Sequence, residues 1–507
     1  MSQSKRCLFL SAWLLIAGCG TALAAAPGTQ PTRIAPPVEP PFDRGAASLS
    51  PAGRAGTALP RASVGNVRAD VQFMGIGYAD TKALGHGLTP PDMGGAASAG
   101  FVMQMVNGGA AIFTTAGALV NPVMTDVAFW KKAGVPGQLT SASLSDPRTV
   151  YDAKSGRFFI CELTLGGPSP THPAKHNTIL FAISKSSNPA DGFTAFAIPV
   201  KAGTFADFPT LGVNVDAVTI STNNFGLHDK LLDLSIFTLP KADLLGANPS
   251  IARLQTFDGI SADAYGGTLH AVDSQNPSSR TQAILGTGKG LHQLTSASLI
   301  AAGQPGASLS APATIFAGID GYPAPARQPV GRYDGGDNRI SAQISQVGDF
   351  IYFANEVSDD QGAGGAKSDY VHWGIVQAST NTLVAEGRII DPSRAIDYTY
   401  PAIDANSSGR FVIAYAGSST TSPISAYATV CDFDTVRLAA NCGAPKTIAV
   451  GLDGSFQLFS PNRWGDYSAI LVDPDNPDAF WLYQEIPGAK IGSGSAWATV
   501  ITHLQTQ

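Results

Sequence analysis

The sequence is poor in charge, in cysteine and in helical periodicity, and each shortage narrows what it can be. Only 14% of its 507 residues are Asp, Glu, Lys or Arg, and the net charge is −6. That excludes charge-driven disorder and the basic footprint of a nucleic-acid binder. No segment beyond the first residues has the 3.6-residue apolar period of a long amphipathic helix, so a helical fold is excluded too. The one long apolar run, Cys7 to Ala17, is too short to span a bilayer. There is no Gly-x-Ser-x-Gly elbow, so no serine-hydrolase signature is present. What is abundant is glycine, 55 residues, and short runs of Val, Ile, Phe, Tyr and Thr cut by Gly, Asn, Asp, Ser and Pro. That is the texture of strands and turns.

The N-terminus carries an address. Basic Met1 to Arg6, the apolar run and the small residues after it have the layout of a cleaved export signal. Two processing routes fit. Ala22-Leu23-Ala24 suits ordinary cleavage after residue 24, whereas Ile16-Ala17-Gly18-Cys19 has the pattern of a bacterial lipobox, with a signal of residues 1–18 and lipid on Cys19. Residues 25–69, rich in Pro, Ala and Gly, are predicted to be a flexible spacer. The expected location is outside the cytoplasm: secreted, periplasmic or lipid-anchored at the outer membrane. Three cysteines then remain. Cys431 and Cys442 are placed to clip one hairpin, and Cys161, beside Phe158-Phe159-Ile160, is read as a buried thiol.

Residues 70–507 repeat a unit of apolar strand, polar turn and apolar strand. Pro147 to Ile160 recurs as Pro401 to Ile413, each with a Gly-Arg-Phe after its turn, and looser copies run from Pro209 to Ile220, Ser341 to Phe353 and Ser468 to Tyr483. Hairpins at Phe101 to Ile112 and Thr268 to Gly286 bring the count to about seven; the last copy is the loosest, which leaves six open. The predicted fold is all-β, a single β-propeller of about seven four-stranded blades, each copy being an inner hairpin. The alternating segment Ser495 to Thr502 is expected to be a final strand that joins blades from the two chain ends.

The order and spacing of several motifs resemble a family of exported bacterial propeller proteins. The likeness is carried by Pro90-Pro91-Asp92-Met93-Gly94, Val102 to Asn107, Asp146-Pro147 with Tyr151-Asp152, Asp207-Phe208-Pro209, Arg463-Trp464-Gly465-Asp466-Tyr467-Ser468, Asp473-Pro474 and Phe480-Trp481. It departs at Ser98-Ala99-Gly100-Phe101, where the family has a Gly-Pro-aromatic element. The resemblance implies a fold and no settled activity. Sialidases are more distant: the turns here lack their Ser-x-Asp-x-Gly-x-x-Trp box, so none of their catalytic residues is carried over.

In an antiparallel hairpin the residue that starts the first strand and the residue that ends the second lie at the same end. If inner hairpins line an axis, these positions gather at one mouth: Asp146 with Glu162, Asp207 with Asn223, Asn338 and Arg339 with Glu356, Tyr400 with Tyr415, and Asp466 with Glu485, with Arg463 and Trp464 just before the last. Carboxylates, arginines, amides and aromatic rings suit sugars, and a carboxylate pair supplies the acid and base of glycoside hydrolysis. Asp146, Asp207, Glu356 and Asp466 are therefore candidate catalytic residues, and Asn338, Arg339, Tyr400, Arg463 and Trp464 candidate substrate contacts. The competing structural reading makes the same Asp residues turn and blade ties, the Arg463-Trp464 pair blade packing, and Glu162, Glu356 and Glu485 a solvated rim.

No metal or cofactor is assigned. His172 and His176 lack companion zinc ligands, Gly286 to Gly290 lacks the Ser or Thr of a phosphate loop, and the turn Asp473 to Asp478 is stiffened by two prolines rather than built for calcium. Cys161 sits in too apolar a setting to be a nucleophile. The expected partner is a glycan, met by a monomer acting at the axial mouth as a hydrolase. Two alternatives are a non-catalytic carbohydrate- or protein-binding module, and a polysaccharide lyase using Tyr400 or a histidine with an arginine.

Overall fold

The computed structural model describes residues 67–506 apart from 142, 275, 277–278, 289–291, 319–320, 360–367 and 459–461. The export signal, Cys19, most of the spacer and Lys289-Gly290 lie outside the described residues.

The repeats fold as seven blades around one axis, antiparallel throughout except that Asp273–Ser274 runs parallel to Ser345–Val347 at the inner edge of blade 5. Their inner strands are Gly94–Ser98, Leu144–Asp152, Phe205–Val213, Gly267–Ala271, Ser345–Val347, Ile396–Ala405 and Ala469–Val472, in blades 1 to 7. Strand residues alternate between the two faces of a blade, and each face packs on a neighbouring blade, so the apolar residues are buried between blades. Between blades 2 and 3, for example, lie Phe159, Phe181, Val218, Ile220 and Phe237, each contributing on the order of 1.5–3 kcal/mol by burial. The ring closes in blade 7, where Val67–Met74 pairs outside Trp497–Thr506. The strand therefore starts three residues before the expected edge of the spacer.

The blades are less uniform than the repeat suggests. Phe101 to Ile112 is not an inner hairpin: Phe101–Val106 and Gly109–Thr114 are the second and third strands of blade 1, inside which lies Gly94–Ser98. A Cβ on Gly95 would come within 2.3 Å of the Tyr483 ring. Only glycine admits that ring, so this inner strand has no apolar signature to read. Blade 1 has three strands, its edge extended by single bridges from Ala110 to Met124 and Phe113 to Leu119. The short helix Asp126–Ala133, capped by the Thr125 hydroxyl accepting the Ala128 N–H (3.0 Å), buries Phe129 and Trp130 against it.

Cys431 and Cys442 face each other across the outer strands of blade 6 and form the expected disulfide. Cys161 is buried, and burial pushes its thiol up to about 12, which leaves it inert.

Candidate functional site

Five of the seven inner strands start in the same way. Asp92, Asp146, Phe208, Thr268 and Tyr400 have φ of 40°, 63°, 51°, 55° and 51°, the left-handed region that non-glycine residues avoid. Asp146, Phe208 and Tyr400 precede prolines, and the ladder skips at Asp146-Pro147, Thr268 and Tyr400-Pro401. Each is a bulge that lifts the chain out of the blade toward the axis. Such conformations cost on the order of 1–3 kcal/mol apiece and persist where the surroundings hold them.

What holds them is the blade before. Asn107 ends the second strand of blade 1, and its Oδ1 accepts the Asp146 N–H (2.9 Å). Asn223 of blade 3 donates to Thr268 Oγ1 (2.8 Å), and Glu356 of blade 5 accepts the Tyr400 N–H (2.8 Å). The ring joint repeats the theme, since Asp92 Oδ1 accepts the N–H of Asp466 (2.7 Å), 374 residues away. The sequence pattern pairs the start and end of one hairpin, as Asp207 and Asn223 are in the blade 3 ladder; the structure adds ties from the second strand of one blade to the start of the next.

Asp146, Asp207 and Asp466 lie near enough to feel one another's charge, whereas Glu356 is grouped with Asp369, Asp334 and Asp337. Asp146 Oδ2 accepts the Tyr467 hydroxyl (2.7 Å), and Asn107 Nδ2 donates to Asp92 Oδ2 (2.8 Å). Arg463 grips both Asp466 oxygens (3.0 and 2.9 Å) and reaches Asp334 Oδ2 (3.3 Å). A Cβ on Gly465 would lie 2.7 Å from Glu485 Oε2, so that carboxylate would have to shift. Convergence is not exposure, however: Asp146, Asp207 and Glu356 are 0%, 3% and 2% exposed. At the surface of the cluster lie Asp337, Asn338, Arg339 and Asp466, all partly exposed.

Four expectations are corrected by position. Trp464 is buried edge-on to Phe456 and tilted against Tyr333, so it offers no face at the mouth. Tyr415 sits opposite the bulge and points into the core between blades 5 and 6, its hydroxyl on Thr429 Oγ1 (2.7 Å). Glu162, Glu356 and Glu485 are buried rather than a solvated rim, and Glu162 turns outward to the indole N–H of Trp130. Tyr400 is buried as well, its hydroxyl donating to the Asp334 carbonyl (2.8 Å).

Sequence reasoning missed Arg148, Asp334 and Asn107. Arg148 starts in blade 2, donates to the Pro209 carbonyl (2.7 Å) of blade 3 and the Ser341 carbonyl (2.9 Å) ahead of blade 5, and lies 3.3 Å from the centre of the Tyr467 ring of blade 7. Touching those blades at once requires crossing the axis. Phe208 packs edge-on to Tyr467, and Arg339 covers Phe208 at 4.4 Å. Below this stack the channel is a cavity of about 50 Å³ lined by all seven blades. That holds a few waters and no sugar ring, since ligand sites run to roughly 300–1,000 Å³. A sugar would therefore have to bind outside this cavity. For the missed residues the one available signal was Asn107 closing the Val102 to Asn107 motif.

Carboxylates outnumber the three arginines here, and the surplus shows in their acidity. Burial, then the charges of Asp466 and Asp146, raises Asp92 well above the usual carboxylate range. Burial and the Asp146 charge do the same to Asp207, and burial and Asp369 to Glu356. Burial and then Asp92 raise Glu485, whereas Asp334 is raised only to about 6 because Arg463 partly offsets its burial. Among the described residues no cluster of three or more His, Cys, Asp or Glu is disposed to hold a metal ion, and no helix is long and apolar enough to cross a membrane.

No protein-family model matches the chain, and no curated protein matches it in sequence. Among solved structures it is similar to the GH93 α-L-arabinofuranosidase of Fusarium graminearum complexed with arabinobiose: 9% identity, TM-score 0.37, covering 81% of this chain and 92% of that one. It is likewise similar to the exo-β-1,3-galactanase of Phanerochaete chrysosporium (9%, 0.31, 83% and 95%) and to extracellular domains 1-2 of Drosophila Semaphorin 1b (8%, 0.37, 86% and 87%). Likeness at this level carries no substrate, activity or residue role to this chain.

Proposed function

We propose that the protein is an exported propeller that acts on glycans at the face where the inner strands begin. The observation that supports it most is the state of Asp207. Its carboxyl feels the charges of Asp146 and Arg339, and burial together with the Asp146 charge raises it well above the usual carboxylate range. A raised acid near a second carboxylate is the pairing that protonates a glycosidic oxygen while the partner assists water or the sugar, and because both are enclosed a glycan must displace the side chains that cover them to reach it. Asp337, Asn338, Arg339 and Asp466 supply forked donors and acceptors for hydroxyls at the surface of the same cluster.

A second reading has its own support. Asp146 and Glu356 accept hydrogen bonds that join blades, and Asp92 accepts the Asp466 N–H across the ring joint, which suits a binding module whose acids are structural. Tyr400 is a poor candidate for a lyase base: burial and the charges of Asp334 and Glu356 raise its phenol well above its ordinary value, the wrong direction, which leaves that reading to a histidine.

The test is incubation with a polysaccharide panel, following reducing ends and the ultraviolet absorbance of unsaturated products. New reducing ends without that absorbance, lost in Asp207→Asn while binding persists, support hydrolysis. Retention on one glycan with no new ends leaves the binding module, and no retention on any glycan ends both.

A further inference from the structure

The two ends of the chain meet in blade 7. Val67–Met74 pairs with Trp497–Thr506, and the register breaks between Ala69 and Val71 so that Asp70 is the extra residue of a bulge. No side chain of this closing strand is fully buried. Phe73 packs 5.1 Å from Phe113, and Gln72 donates to Thr502 Oγ1 (3.0 Å) and to the Ile448 carbonyl (3.0 Å). Little apolar area therefore holds the strand, and its polar contacts weigh more.

The bulge turns the Asp70 carboxylate onto His503, a residue of the neighbouring C-terminal strand: His503 Nδ1 is 2.7 Å from Asp70 Oδ1. The other ring nitrogen, Nε2, is 2.9 Å from Asp473 Oδ2. Asp473 stands at the turn of the inner hairpin and cannot swing away, because its Oδ1 accepts the N–H groups of Asp475 (2.7 Å) and Asn476 (3.0 Å) and its Oδ2 the indole N–H of Trp481 (2.9 Å). The Trp481 ring lies 4.6 Å from the imidazole, and Gln505 donates to Asp70 Oδ2 (3.1 Å). Asp70 and Asp473 are thus the charged groups facing the ring; Trp481 and Gln505 are neutral.

A neutral imidazole has one N–H and one lone pair. With a carboxylate oxygen on each nitrogen, the lone pair would face negative charge on one side. Only the imidazolium carries positive charge toward both carboxylates, Nδ1 in a hydrogen bond with Asp70 and Nε2 at ion-pair distance from Asp473.

We propose that His503 is a protonation latch: its charged ring ties the closing strand of the propeller to the inner hairpin of blade 7, and loss of the proton loosens that strand. The acid–base balance runs the same way. Burial disfavours the charged ring, but its bonds to Asp473 and Asp70 and their charges outweigh burial and raise His503 above its ordinary value. Asp70 and Asp473 are both lowered: burial opposes this, and their hydrogen bonds with His503 and their other donors outweigh it. A group raised in the folded state stabilises below its unfolded value and loses that contribution as pH rises through the folded one. The latch is closed in mildly acidic solution and opens on the alkaline side.

Amide hydrogen exchange of the full chain tests this. Protection factors of Val71 to Met74, normalised to the Ala217–Phe225 strand, should fall several-fold from about pH 6 to about pH 8.5, the range in which histidine charge is lost. His503→Asn should be low and flat across that range, and Asp70→Asn should respond less than the parent. A parent without the fall, or an identical fall in His503→Asn, overturns the latch. Should His503→Asn not fold, ring nitrogen shifts of His503 in the parent decide: a neutral ring at about pH 6.5 refutes the proposal.

Discussion

Arg463 offers the sharpest test of how the blade starts are held together. Its guanidinium is buried and joins Asp466 of blade 7 to Asp334 of the segment ahead of blade 5. Arg463→Met keeps much of the stem and removes the charge, leaving two carboxylates near Asp92 and Glu485 without their cation. Breaking a buried pair by deleting one partner costs about 3–5 kcal/mol, which for a single domain of this length corresponds to a fall in Tm of roughly 3–5 °C. The loss should depend on pH. Asp334 is already raised to about 6 with the arginine present, and without it the folded value climbs further from the unfolded one. A raised carboxyl stabilises below its unfolded value and loses that contribution as pH rises through the folded value, so the penalty is small near pH 5 and full near pH 8. Calorimetry of parent and variant at those two pH values reads the difference directly. An equal drop at both, or none at either, would refute the view that Arg463 neutralises a carboxylate surplus.

The parent itself should be most stable at mildly acidic pH and lose Tm as pH rises, because Asp334 and Asp404 are raised to about 6 and Asp369 to about 8, in each case chiefly by burial; a profile peaking above pH 7 would contradict this. Gly95→Ala should cost about 1–3 kcal/mol by overpacking against Tyr483, seen as a lower denaturation midpoint with an unchanged slope. Replacing both Cys431 and Cys442 by serine should cost about 2–3 kcal/mol, the loop-closure value for so short a ring, with the fold retained by circular dichroism.

The propeller was legible because five inner hairpins keep an apolar strand, a polar turn and an apolar strand in register, and because the turn residues carry their own geometry. Asp146-Pro147 and Tyr400-Pro401 could be located for the same reason: a bulge with left-handed backbone ahead of proline leaves a local mark. Blade 1 was misread because its inner strand is Gly94-Gly95-Ala96-Ala97, chosen for the room it leaves Tyr483 rather than for apolar bulk. Tyr415 was misplaced for a different reason. A bulge between Thr399 and Ala402 shifts the register, and one residue of slip moves a side chain to the other face. Burial was the least legible property. Nothing local marks Asp146 or Glu356 as enclosed, since what covers them arrives from distant segments, Tyr467 in one case and Tyr400 in the other.

Two separate parts of the molecule respond to pH with the same sign. At the axial face, carboxylates raised by burial are most comfortable when protonated, so raising the pH adds repulsion among residues that hold successive blade starts. At the rim of blade 7, His503 faces Asp70 and Asp473 and holds the closing strand only while charged. The chemistry is opposite, neutral acids in one place and a cationic base in the other, yet both lose hold as protons leave. A propeller opens at its ring joint, and the joint is where both meet: Asp92 receives the Asp466 N–H on the inner side of blade 7 while Asp70 is clamped on its outer side. Alkaline conditions should therefore loosen blade 7 before any other, and blade 4, whose strand start is tied by the uncharged Asn223–Thr268 bond, should be among the last to respond.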